Sequence, residues 1–241
     1  MSGVTRAAVG AAALVAALGI ASASGARERS EAEWTAARGG GRPAASGADA
    51  LPPPSFGRSV DIGLISGVVR VRPTRGIAFT LTPRDRNVPV GSEIDTTRGA
   101  VDLRTAKETS FGKPTAGIQD GHFSGGTFTI MQRPSEDGLA LVSLLGGAPT
   151  PARCPSRSRA STARGGLSKR VLARLRSNVH GQFRTRGSFS AATVRGTEWE
   201  TVDRCDGTLT RVYRGAVAVF DYLTRKTVMV TAPHTYLTPR S

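Results

Sequence analysis

Three histidines, His122, His180 and His234, are the only imidazoles in the chain, and they stand far apart. None belongs to an H-E-x-x-H helix or a Cys/His cluster, the spacings that bring several donors onto one metal ion. His122 lies two residues before Ser124 in Gly121-His122-Phe123-Ser124-Gly125-Gly126. Residues i and i+2 of a strand share a face without making a triad, so this stretch reads as a hairpin loop. No G-x-S-x-G elbow marks a hydrolase serine. Cys154 opens Cys-Pro-Ser-Arg-Ser-Arg-Ala, which fails as a Cys-x5-Arg phosphate loop because Ala160 stands where the arginine is required. Glu198 and Glu200 flank Trp199 and would share one face of a strand. Such a pair could serve glycoside chemistry or hold a cation, and it is equally an ordinary polar face. The patterns give no catalytic residue, no cofactor and no metal site, and the expectation is a protein that is not an enzyme.

The elements that must carry these residues are β-like. Of 241 residues, 29 are Gly and 14 Pro, while aromatics make up only 5%. That profile fits a turn-rich all-β chain better than a helical bundle. The net charge is +15, carried by 29 Arg and 4 Lys against 18 acids. Such a balance favours anionic surfaces, an acidic envelope polymer or a membrane surface, with another envelope protein as a further partner. Nucleic acid is disfavoured, because aromatics interleaved for base stacking are missing.

The first residues, MSGVTRAAVGAAALVAALGIASASGA, set Arg6 before an apolar run from Ala7 to Ile20. Small residues follow, with A-x-A at Ala21-Ser22-Ala23 and a second option ending at Ala26. The run falls short of the roughly 20 residues needed to span a bilayer. Residues 1–26 read as a secretory signal peptide, an uncleaved anchor being the alternative. Residues 27–55 read as a flexible leader ending in three prolines. The β domain is expected over 56–241, outside the cytoplasm, where disulfides can form.

Within it, a glycine followed by alternating apolar residues recurs at Gly67-Val68-Val69-Arg70-Val71, Gly99-Ala100-Val101-Asp102-Leu103, Gly126-Thr127-Phe128-Thr129-Ile130 and Gly215-Ala216-Val217-Ala218-Val219. Each reads as a turn glycine leading into a strand with one face on a core. The fold expected is an antiparallel β-sandwich or β-roll of short strands. Residues 146–190 break this texture, with no acid between Gly138 and Thr197. There Leu167, Val171, Leu172, Leu175 and Val179 are spaced for one face of a short basic helix. Lys169, Arg170, Arg174 and Arg176 would surround that face, either solvated or docked on an anionic surface through Arg170, Arg174 and Arg176.

The C-terminal stretch alternates from Thr197 to Val202, turns at Asp206-Gly207, returns over Thr208–Tyr213, turns at Gly215, and continues over Ala216–Asp221 and Thr227–Thr231. Alternation and turn chemistry together read as a four-strand antiparallel meander. Val194-Arg195-Gly196-Thr197-Glu198-Trp199, Asp206-Gly207-Thr208, Gly215-Ala216-Val217-Ala218-Val219 and Val228-Met229-Val230-Thr231-Ala232 follow one another in the order of a known pattern. In these motifs the chain resembles the FecR-type domain family, as found in exported actinobacterial modules. The match is tightest over 191–237 and looser back to about residue 60, through Val88–Ala106. Pro233-His234 replaces the family's Gly-Gln. The resemblance implies the family's outer β domain, with Arg195, Gly196, Thr197, Trp199, Asp206, Gly207 and Gly215 as structural positions and no inherited active site. The best-known members regulate an extracytoplasmic-function sigma factor through an N-terminal cytoplasmic tail, but only about six residues precede the apolar run here. The function expected is a non-enzymatic binding or structural module of the cell envelope. The alternative is a membrane-anchored sensor or regulator of the sigma-factor-regulator type.

Two cysteines in an exported chain are most simply a pair. A bond between Cys154 and Cys205 would pin the Arg-rich insert to the hairpin at Asp206-Gly207. Two free thiols, or an intermolecular bond, are the alternatives.

Overall fold

The computed structural model describes residues 52–107, 111, 117–154 and 167–240. The expected signal peptide, nearly all of the leader and residues 155–166 of the insert lie outside the described residues. Among the described residues there are fifteen strands: β1 Ser59–Arg72, β2 Phe79–Thr80, β3 Arg86–Pro89, β4 Glu93–Ala106, β5 Ile118–Ser124, β6 Thr127–Gln132, β7 Ala140–Leu144, β8 Val171–His180, β9 Gln182–Arg186, β10 Ser190–Arg195, β11 Glu198–Arg204, β12 Gly207–Arg214, β13 Ala216–Asp221, β14 Thr227–Thr231 and β15 Thr235–Pro239. The fold is all-β as expected, and the described residues hold no α-helix, only a 3-10 turn at Pro134–Glu136.

The strands form one nearly closed, barrel-like sheet in the order β14-β13-β10-β9-β7-β6-β4-β5-β8-β11-β12-β15, with β1 alongside β4 and bordered by β2 and β3. Neighbours along this path are antiparallel except β7 and β9, which are parallel. The path has two flanks, one built outward through β6, β7, β9, β10, β13 and β14, the other through β5, β8, β11, β12 and β15. The chain steps from flank to flank through single glycine corners. β8 passes into β9 at Gly181, β10 into β11 at Gly196, and β12 into β13 at Gly215. Such bends let one chain serve both sides of a shared core.

Of the recurring glycine units, Gly215 is one of these corners, Gly126 precedes β6, and Gly67 and Gly99 lie inside β1 and β4. Gly67 of β1 pairs with Gly99 of β4, and the backbones meet so closely that a Cβ on Gly99 would sit 2.6 Å from the Ser66 carbonyl oxygen. Behind each glycine the alternation holds: Val69 and Val71, Val101 and Leu103, Phe128 and Ile130, and Val217 and Val219 are all fully buried. Phe123 joins the flanks, its ring 5.3 Å from Phe128 and 5.8 Å from Phe183. Trp199 is fully buried beside them and donates from Nε1 to Thr185 Oγ1 at 3.0 Å. The Thr185 and Thr201 hydroxyls are paired across the interior at 2.8 Å.

Two expectations need correction. Among the described residues the basic helix is absent: Leu167, Lys169 and Arg170 precede β8, and the rest of its residues form that strand, with Leu175, Ser177 and Val179 inward and Arg174 and Arg176 outward. Positions i and i+4 share a face in a strand as in a helix, so the spacing 171-175-179 fitted both. The edges of β5 and β11 decide it, because both take their ladder partners from this segment. The four-strand meander is also broken. β11–β12 and β13–β14 are hairpins, but β12 takes β15 as its other neighbour and β13 takes β10. Gly215, with φ of +80°, turns the chain onto the opposite flank where the meander would have continued.

Cys154 and Cys205 are disulfide-bonded, with their Cα atoms 5.5 Å apart. Cys205 sits at the β11–β12 hairpin tip, so the bond fastens the segment after β7 to that hairpin. Close by, the fully buried Asp203 accepts hydrogen bonds from the Ser188 N–H at 2.9 Å, the Ser188 hydroxyl at 2.9 Å and the Thr208 hydroxyl. Burial holds its carboxyl above the ordinary range, outweighing these donors. The folded chain therefore binds more protons than the unfolded one between the ordinary value and the raised one. The contribution of this group to stability then increases as pH falls through that interval. Relative to Asp203→Asn, the wild type is expected to gain stability between about pH 7 and about pH 4. Urea melts at both values check this, and a relative loss on acidification refutes it.

Candidate functional site

Alternation in β9 turns Phe183 and Thr185 inward and Gln182, Arg184 and Arg186 outward. Beside Arg184 and Arg186, the residues of the neighbouring strands on this side are small or aromatic: Ala191 and Thr193 on β10, Ala218 and Phe220 on β13. The short side chains leave a depression of about 530 Å³, with Arg133, Arg184 and Arg186 supplying cations and Phe220 and Tyr222 supplying ring surface. Arg184 donates from Nε to Thr193 Oγ1 at 2.9 Å and lies 3.4 Å from Glu136, the one carboxylate in the lining. The phenol of Tyr222 is pushed up by burial, an effect the neighbouring Arg186 partly offsets. Arg186 also lines a second depression of about 320 Å³ bounded by the Gly146-Gly147 and Gly187-Ser188 backbones. Arg186 thus lines both hollows.

The other flank carries a different surface. Register places Gly63, Asp102, His122, Asn178, Glu198 and Arg214 directly opposite one another across β1, β4, β5, β8, β11 and β12. One row away, Asp61, Arg104, Asp120 and His180 are opposed across β1, β4, β5 and β8. His122 Nε2 lies 3.7 Å from Asp102 Oδ1, and His180 Nδ1 lies 3.3 Å from Asp120 Oδ2. Arg104 donates from Nε to Asp102 Oδ2 at 3.1 Å and is ion-paired with Asp85. Burial raises the carboxyl of Asp102, against the pull of Arg104 and His122. His122 is thus gathered with two carboxylates, on an open sheet face rather than in a pocket.

Of the expected anionic-surface cations, Arg174 is exposed on β8, while Arg170 precedes that strand and donates to the Arg153 carbonyl at 3.3 Å. Arg176 is engaged: it donates to Glu198 at 2.6 Å, and its guanidinium lies 4.2 Å from the Tyr213 ring centre. Glu200 accepts from Arg211 at 3.1 Å and from the Tyr213 hydroxyl at 3.2 Å, so the Glu198–Glu200 pair is tied up in cross-strand contacts. The residues of the quoted C-terminal motifs take these places in the fold. Arg195 ends β10, Gly196 and Gly215 are corners, Thr197 Oγ1 donates to the Ala216 carbonyl at 3.1 Å, and Asp206 accepts from Arg204 at 2.7 Å beside Gly207. His234 is exposed in the β14–β15 link and stands against the Thr231 carbonyl at 3.0 Å.

Sequence reasoning missed both surfaces. For the groove a signal existed, since Arg184 and Arg186 fall in the acid-free stretch and alternate with Phe183 and Thr185. For the Asp–His group the signal was partial: Asp120 and His122 alternate on β5, while Asp102 and His180 come from β4 and β8, paired with β5 only by the fold. No family model, curated protein or solved structure matches the chain, so the FecR-type resemblance rests on the quoted motifs alone.

Proposed function

We propose that this chain is a non-enzymatic binding module of the cell envelope that holds an acidic polymer along the arginine track outside β9, β10 and β13. The observation that carries the reading is the place of Arg186 in the walls of both depressions, which suits an elongated anion better than a compact one. Guanidinium forks match phosphate and carboxylate geometry, and the rings of Phe220 and Tyr222 offer stacking or apolar surface between charges. A net charge of +15 would draw such polymers in from a distance. The Cys154–Cys205 bond fits an oxidising compartment, and the N-terminal pattern fits export. Among the described residues no helix is long and apolar enough to cross a membrane. A concave track also suits a chain better than a planar lipid surface.

Inorganic polyphosphate of defined length serves as the test polymer, with phosphatidylglycerol vesicles as the planar comparison. Each charge-assisted contact is worth about 1.5–3 kcal/mol, so Arg184→Gln and Arg186→Gln are each expected to weaken polyphosphate binding about tenfold or more. Both should also flatten its salt dependence. The triple change of Arg170, Arg174 and Arg176 to Gln is expected to cost less, since Arg176 is already paired with Glu198. Titrations of each variant over a range of salt decide the matter. Absence of salt-sensitive binding in the wild type, a larger loss in the triple variant, or tighter binding to the vesicles would overturn the proposal.

A further inference from the structure

On the face away from the groove, the structure assigns a divalent transition-metal site to Asp102, Asp120 and His122, with Zn²⁺ as the ion its donors suit. One oxygen of each carboxylate and one ring nitrogen of His122 lie within 4.8 Å of one another. Ligand atoms about 2.0–2.1 Å from a tetrahedral Zn²⁺ lie roughly 3.3 Å apart, so modest side-chain rotation closes the set. The 3.7 Å between His122 Nε2 and Asp102 Oδ1 is too long for a hydrogen bond and close to that ligand–ligand spacing. An imidazole with two carboxylates favours a borderline ion over Mg²⁺, which prefers all-oxygen octahedral coordination.

The neighbours hold the donors in place. Arg104 takes Asp102 Oδ2, which leaves Oδ1 directed at His122. His180 stands 3.3 Å from Asp120 Oδ2 and orients that carboxylate. Outer contacts of this kind fix ligand geometry. The three ligands come from adjacent strands β4 and β5, with Asp102 directly opposite His122. A rigid ladder therefore sets their spacing. His122 is exposed, so the fourth coordination position opens to solvent.

Calorimetric titration of the untagged, disulfide-intact protein with Zn²⁺, and separately with Mg²⁺, tests the site. One equivalent of Zn²⁺ is expected to bind, with Mg²⁺ at least tenfold weaker. His122→Ala and Asp102→Asn should each weaken Zn²⁺ binding tenfold or more. His180→Ala should weaken it less, and His234→Ala should leave it unchanged. Circular dichroism confirms that each variant is folded, and Asp120→Asn provides a second ligand variant if one is not. Zn²⁺ binding that survives His122→Ala, that is lost in His234→Ala, or that Mg²⁺ equals would overturn the assignment, as would no binding at all.

Discussion

Reducing the Cys154–Cys205 bond is expected to lower the unfolding free energy by about 4 kcal/mol, the value that loop-closure entropy gives for a loop of this length. The bond spans 51 residues of sequence, and that span includes the stretch from 155 to 166 and all of β8, β9 and β10. With the link intact, the unfolded chain is denied the extra conformations of that loop. Denaturant melts with and without reductant, repeated on Cys154→Ser/Cys205→Ser, measure the difference. The double variant and the reduced wild type should agree. A difference from the oxidised protein below about 1 kcal/mol would mean that strain or residual structure in the unfolded chain cancels the entropic effect.

Trp199→Ala is expected to cost about 3–5 kcal/mol, the range for emptying a site of that size in a packed core. Trp199 is fully buried and ties β11 to β9 through Thr185, so its loss removes volume and a cross-flank hydrogen bond together. Trp199→Phe keeps a ring and gives up the indole donor, and it should cost about 1–2 kcal/mol. Urea melts followed by circular dichroism rank the three proteins. Equal destabilisation by Phe and Ala would shift the weight from ring packing to the hydrogen bond.

Much of the fold can be read from the chain because alternation and turn chemistry are local. The inward set after Gly67, Gly99, Gly126 and Gly215 follows from period two alone, as does the outward aim of Glu198 and Glu200. The cysteine pair follows from compartment logic and number. Pairing partners are another matter. Nothing between Arg214 and Ala216 says that one glycine carries the chain to the opposite flank, since a hairpin and a corner use the same residue type. The segment around Leu175 failed for a related reason: its spacing satisfies two periods, and only the open edges of β5 and β11 choose between them. The groove was half legible, since Arg184 and Arg186 alternate visibly. Phe220 and Tyr222, its opposite wall, reach it through the β10–β13 pairing that no local pattern announces.

The glycine corners have a consequence for what can be inherited or transplanted. Because the chain changes flank after every one or two strands from β5 onward, every contiguous fragment of useful length contains pieces of both and completes neither. A chain cut at Gly196 would keep β8 and β9 but deprive β8 of β11, and one cut at Gly215 would separate β12 from β15. Neither flank is a module that recombination could borrow. The domain must move between proteins whole, and insertions are best tolerated in the links that join strands within a flank, such as the one between β13 and β14.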